Sequence, residues 1–285
     1  HLSDPIDTDG TTREIRGSTA APSVSDANTL DDFSAVNMAS DDLVDAKIGK
    51  GLDFDGANDA VCLDWDSTES PPNFNCTTSN ERSNGLFDAD FDNRTVSLWY
   101  NADDISGDRK MHVLYEEGGS GNGMNIYLYE GRLYVGAWKS TNYGFPSIAT
   151  TANEWHHVAL VFSDNSNDNM VRMYYDGQTS DALRVNAFDM GSHSNEDCLG
   201  ANCNSSEIHV GDSGHSNAND DASQTISGVD YDFSGEFDGT LDEFRVINNV
   251  LSAAFIETTY NSENEPTNFI CEGICLTETL SLGPQ

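Results

Sequence analysis

The segment Phe54-Asp55-Gly56-Ala57-Asn58-Asp59 sets Asp55, Asn58 and Asp59 around a glycine bend. Calcium takes about six to eight such hard oxygens, carboxylate mixed with backbone carbonyl. Late in the chain, Asp238 and Asp242 offer further carboxylates. Asp55, Asp59, Asp238 and Asp242 are candidate calcium ligands if the two segments meet. The competing reading makes Asp55-Gly56 and Asp238-Gly239 simple turns. A second cation could use the Asp212–Asp221 stretch or Asp103, Asp104 and Asp108.

Carboxylates can also hydrolyse sugars. A retaining glycosidase needs two of them roughly 5 Å apart, which on a strand means alternating positions. Glu236-Phe237-Asp238 starts that pattern, but Gly239-Thr240-Leu241 follows without a closing Glu. Glu116 and Glu117 are adjacent, so on a strand they point to opposite faces. The same holds for His156 and His157, which tempt a metal or general-base reading. No Gly-x-Ser-x-Gly elbow is present. The expected function is not enzymatic.

Binding a sugar without cleaving it needs an apolar ring face and polar groups for the hydroxyls. Trp138, Tyr143, Phe145 and Trp65 lie on expected loops or exposed strand faces. Glu116-Glu117-Gly118-Gly119-Ser120-Gly121-Asn122 forms a polar loop beside them. Trp138, Tyr143, Glu116 and Asn122 are the candidate ligand-binding residues. Trp99 and Trp155 lie in strand segments that the family resemblance given below covers, and are expected in the core.

Six cysteines space themselves as three local pairs, Cys62 with Cys76, Cys198 with Cys203 and Cys271 with Cys275. Proximity alone suggests these among fifteen pairings. No histidine stands near them at zinc-ligand spacing. Disulfides imply an oxidising compartment, and the sequons at Asn75, Asn93 and Asn204 permit glycosylation there. The expected location is extracellular or the cell surface.

Charge narrows the partners. Thirteen Lys and Arg stand against 49 Asp and Glu, a formal net charge of -36. Nucleic acid and anionic membrane surfaces would be repelled. No apolar run is long enough to cross a bilayer, so no membrane insertion is expected.

The elements that must hold these groups are strands. Short apolar pieces alternate with turn signals from Gly51 to Ile247. Glu130-Gly131 joins two alternating runs in the clearest hairpin, and Asp176-Gly177 makes another turn. The single expected helix is capped by Ser252 and runs to Tyr260. Residues 1–46 read as an extended lead-in, 47–261 as one domain, and 262–285 as a tail with an alternating stretch, Ile274–Leu282, suited to an extra strand.

Five segments in order resemble the laminin-G-like, concanavalin A-like lectin/glucanase superfamily of bacterial and archaeal secreted or surface proteins. They are Lys47–Asp59, Thr95–Asp103, Asn153–Phe162, Tyr174–Gly177 and Phe237–Val246, the last followed by Leu251-Ser252-Ala253-Ala254. The resemblance implies an all-β jelly-roll sandwich of two antiparallel sheets with long loops and one short C-terminal helix. It also implies that the Asp55 bend and the Asp238 strand meet at one edge around calcium. Relatives open with a strand, most of which is expected to be missing here before His1-Leu2. Two functions follow: a carbohydrate-binding or adhesion module for a glycan or cell-surface glycoprotein, or an assembly subunit joined to copies of itself by strand exchange into a filament or surface layer.

Overall fold

The structure, a computed structural model, describes residues 14–15, 32–65, 90–105, 110–118, 121–140, 142–164, 169–184, 190, 197–201, 208–209, 217–218, 224–226, 229–231 and 235–266. The strands are β1 (Glu14–Ile15), β2 (Asp32–Val36), β3 (Leu43–Asp45), β4 (Lys50–Asp55), β5 (Ala60–Trp65), β6 (Asn93–Ala102), β7 (His112–Gly118), β8 (Asn122–Tyr129), β9 (Arg132–Lys139) and β10 (Asn142–Gly144). They continue with β11 (Ser147–Ala149), β12 (His156–Ser163), β13 (Met170–Tyr175), β14 (Gln178–Arg184) and β15 (Cys198–Leu199). Two short ribbons, β16 (Ile208–His209) with β17 (Asn217–Ala218) and β18 (Gln224–Ile226) with β19 (Val229–Tyr231), precede β20 (Asp238–Ile247) and the helix α1 (Ala253–Asn264).

Two antiparallel sheets stack face to face. One has nine strands, ordered β1-β2-β5-β15-β7-β8-β9-β10, with β11 also on β9; the other has seven, ordered β14-β13-β12-β6-β20-β4-β3. Alternation explains the layering. Val96, Leu98 and Tyr100 of β6 and Val158, Leu160 and Phe162 of β12 point inward, meeting Met124, Ile126, Leu133 and Val135 from the other sheet. The opposite residues of β6 and β12, such as Trp99, His157, Ala159 and Val161, face α1.

Charge also lies between the sheets. Arg94 and Glu117 form an ion pair with both side chains fully buried. Tyr115 donates its hydroxyl to Glu117, and Phe91 lies 3.6 Å from the guanidinium. Glu117 thus points inward, as its adjacency to Glu116 requires.

Strands begin earlier than Gly51. β2 pairs with β5, and β3 with β4, so the edge of β5 is covered by residues of the expected lead-in. Ser252 caps α1 as expected, accepting the Phe255 amide at 3.2 Å. The helix runs past Tyr260 to Asn264. The stretch Ile274–Leu282, with Cys271 and Cys275, falls outside the described residues.

Candidate functional site

The acidic bend forms as the sequence suggests. β4 and β20 pair so that Asp55 stands opposite Asp238. Gly56 turns the chain with φ +69, and a Cβ there would fall 2.8 Å from that of Asp238. Asp55 Oδ1 accepts the amides of Ala57 and Asn58, while Asp59 Oδ2 accepts the Asp55 amide. Burial, with the charges of Asp55, Asp42 and Asp53, pushes the Asp59 carboxyl up to about 6. Burial and the Asp103 charge raise Asp238 as well. Lys110 places its ammonium 3.1 Å from the Gly56 carbonyl and 3.3 Å from Glu236.

Asp242 is not part of this rim. Four residues along a strand from Asp238 is a displacement of roughly 13 Å. Its carboxylate is buried and takes the amides of Ile48 and Glu243, each at 2.7 Å. Burial pushes it up to about 6. Here Asp242 ties the chain before β4 to a register shift in β20, where Glu243 has φ +53. Among the described residues, no group of three His, Cys, Asp or Glu side chains is placed to hold a metal. The four expected ligands therefore do not form one cage; Asp55, Asp59 and Asp238 remain as an acidic edge.

The second candidate group lies on the outer face of the nine-stranded sheet. Gly123, Trp138 and Tyr143 are neighbours across β8, β9 and β10, as are Glu116, Asn125 and Gly136 across β7, β8 and β9. The two glycines let aromatic rings lie flat on the strands. A Cβ at Gly123 would meet Trp138 at 2.5 Å, and one at Gly136 would meet Phe145 at 2.2 Å. The rings of Trp138 and Phe145 stack at 6.4 Å and 16°, and Tyr143 tilts against Phe145 at 6.1 Å. Of the expected ligand-binding residues, only Tyr143 is well exposed, at 39%. Trp138 and Glu116 are buried, which corrects their placement as exposed contacts. Asn122 is half-buried and donates its side-chain amide to the Met190 carbonyl.

Cys62 and Cys198 are opposed across the β5–β15 pairing, and both are disulfide-bonded. Cys76 and Cys203, their expected partners, lie outside the described residues, as does most of the Asp212–Asp221 stretch.

A third region carries no clear sequence signal. Glu263 near the end of α1 accepts Trp99 Nε1 at 2.7 Å and pairs with Arg245 at 2.7 Å; Arg245 also pairs with Glu243. Lys47 sits 4.3 Å over the Trp99 ring and bonds Asn264. These partners are about 150 residues or more apart in places, as Trp99 and Glu263 are. Only the Trp99 motif hinted that something must cover it.

The comparisons with known proteins bear on the fold. A family model described as the concanavalin A-like lectin/glucanases superfamily matches residues 75–202. A search of curated proteins finds no match. Among solved structures, this chain is similar to the binding domain of Paraclostridial Mosquitocidal Protein 1 (13% identity, 82% of this chain and 48% of that one, TM-score 0.50). It is also similar to the binding domain of Botulinum Neurotoxin DC in complex with SialylT (9% identity, 81% and 46%, TM-score 0.51). Domain 4 of AbnA, an extracellular arabinanase from Geobacillus stearothermophilus, in complex with arabinotriose, gives 14% identity over 76% and 79%, with a TM-score of 0.48. The chain spans about half the length of the two toxin structures. At these identities the likeness establishes the jelly-roll fold.

Proposed function

We propose that this chain is a non-catalytic carbohydrate-binding or adhesion module that works outside the cell. The observation that carries the reading is the aromatic edge at β9 and β10. Tyr143 is exposed there and is backed by the Phe145 and Trp138 rings, with Asn122 near the same end of the sheet. An exposed ring beside side-chain amides is what a pyranose face and its hydroxyls use. The lectin-containing superfamily and a toxin binding domain of the same fold that holds SialylT support the class. The opposed directions of Glu116 and Glu117 support a non-catalytic role, since they cannot act on one glycosidic bond. The disulfide-bonded Cys62 and Cys198 support an oxidising, extracellular setting.

Glycan-array binding by the intact chain tests the reading. Tyr143→Ala should weaken the strongest hit about tenfold, a loss of about 1.4 kcal/mol. Full retention of every hit by that variant would remove Tyr143 from the site.

Calcium belongs to the same proposal, at the acidic edge where Asp55 stands opposite Asp238, with backbone carbonyls rather than a cage of three carboxylates supplying most of its shell. Its support is the pairing that sets Asp55 opposite Asp238 beside a buried Asp59, whose carboxyl is raised first by burial and then by the neighbouring carboxylates. Thorough chelation should lower the melting temperature by a few degrees, because an ion that binds only the folded state stabilises it by mass action. An unchanged melt would remove calcium from the account.

A further inference from the structure

The last residue of α1 and a residue just ahead of β4 carry groups that can react with each other. Lys47 Nζ donates to Asn264 Oδ1 at 2.7 Å, across 217 positions of sequence. A primary amine is thus held against the oxygen of a carboxamide, and both side chains are half-buried. Lys50 and Lys110 differ, since each pairs with a carboxylate, Asp45 and Glu236. Lys47 makes no such ion pair among the described residues; its nitrogen lies 4.3 Å over the Trp99 ring instead. Burial lowers the pKa of Lys47, and the Asp176 charge opposes that only in part. The neutral amine, which is the nucleophilic form, gains share.

Trp99 holds the two partners in register. The indole is 1% exposed. Tyr260, one helical turn before Asn264, stacks on it at 5.3 Å and 18°. Glu263, next to Asn264 in the chain, accepts Trp99 Nε1 at 2.7 Å. One ring therefore positions the amine, the helix end that bears the amide, and a carboxyl. Glu263 is 7% exposed, and burial raises its carboxyl, so it can hold and release a proton there. Reacting groups fixed in contact gain a large effective concentration over the same groups in solution.

We propose that Lys47 and Asn264 join in a spontaneous isopeptide bond. The Nζ lone pair adds to Asn264 Cγ, and the Cγ–Nδ2 bond breaks. Glu263 carries the proton from Nζ to the leaving nitrogen, which departs as ammonia. The product is a secondary amide, and no oxidant, reductant or cofactor is consumed. The bond closes a covalent loop that contains β4, β6, β12, β13, β14 and β20, all of the seven-stranded sheet except β3. Tension applied outside Lys47 and Asn264 then passes through the cross-link rather than through those strands. This goes beyond the glycan-binding reading and does not depend on it.

Mass spectrometry of the intact chain, reduced and denatured, is the test. The chain should weigh less than its sequence by one ammonia, and proteolysis should release a branched peptide joining Lys47 to Asn264. Ammonia lost at another asparagine would leave these two peptides linear. Lys47→Arg keeps a cation for the Trp99 ring but stays charged and cannot form the bond; Asn264→Ala removes the carboxamide. Both variants should show the full sequence mass. Lys47→Arg should also melt about 10 °C lower, because closing so long a loop restricts the unfolded chain. Glu263→Gln should slow the reaction and leave freshly made protein as a mixture of the two masses. Recovery of Lys47 and Asn264 only in separate linear peptides would overturn the proposal. A full yield of branched peptide in Glu263→Gln would overturn the proton transfer assigned to Glu263. Neither result bears on glycan binding at Tyr143, which the array measures separately.

Discussion

Two arginines hold buried carboxylates in this molecule, and they do it in opposite surroundings. Arg94 lies between the sheets with its partner Glu117, both at 0% exposure. Arg245 lies under α1, 35% exposed, between Glu243 and Glu263. The first pair has no solvent to fall back on, so removing one member strands a charge in the core. The second is partly screened, and its value lies in joining a helix to a sheet. The comparison shows that the same ion-pair chemistry can govern global stability in one place and local docking in another.

The largest effect should come from Arg94→Met, which leaves Glu117 buried without its counter-ion at a cost of about 3–5 kcal/mol. Chemical denaturation would measure it, and adding Glu117→Met should recover most of the loss. A small single-variant effect would show that water reaches Glu117 and would erase the contrast. Next comes Glu263→Ala, which deprives Trp99 Nε1 and Arg245 of an acceptor. It should cost about 1–3 kcal/mol and raise amide exchange in α1 ahead of the sheets. Uniform exchange would mean that the helix does not dock independently. Ser252→Ala, removing the cap, should cost about 1 kcal/mol and again act on α1 first.

Acidity gives the smallest effect and separates the rims. Asp59 and Asp242 both have folded carboxyls near 6, above the ordinary value of 3.8 for an unfolded Asp. The folded state then binds protons first, so stability should rise as pH falls from 7 toward 4. His157 works the other way: held near 4 when folded and titrating at 6.5 when unfolded, it withdraws stability over pH 6.5 to 4. Two gains against one loss predict a shallow rise in melting temperature between pH 7 and 5 in chelator. Calcium at Asp59 would favour the charged carboxylate and flatten that rise. Identical pH profiles with and without calcium would place no ion at the Asp55 edge.

Much of the fold was legible because it rests on alternation. The Glu130-Gly131 turn joins β8 to β9 and the Asp176-Gly177 turn joins β13 to β14, where the sequence places them, and Ser252 marks its helix. β15 was not legible, since Cys198-Leu199 is too short to show a period. β2 was hidden by its polar context. Site residues fared less well for a related reason. Alternation says which face Trp138 occupies but not that neighbours cover it. Asp238 and Asp242 share a face in a regular strand, yet pairing register and the shift after Asp242 decide which one meets Asp55. The Glu263–Arg245–Trp99 contact depends on where α1 lands, and no local pattern encodes that.

The order of strands in the seven-stranded sheet carries a consequence for biosynthesis. β20 lies between β6 and β4, so the strand that joins the β3–β4 pair to the rest of that sheet leaves the ribosome after all its neighbours. A nascent chain that has not reached Asp238 holds two partial sheets with open edges. Those edges invite pairing with other chains. Closure therefore waits on translation, and prematurely ended products should be recognised by chaperones and proteases as unfinished.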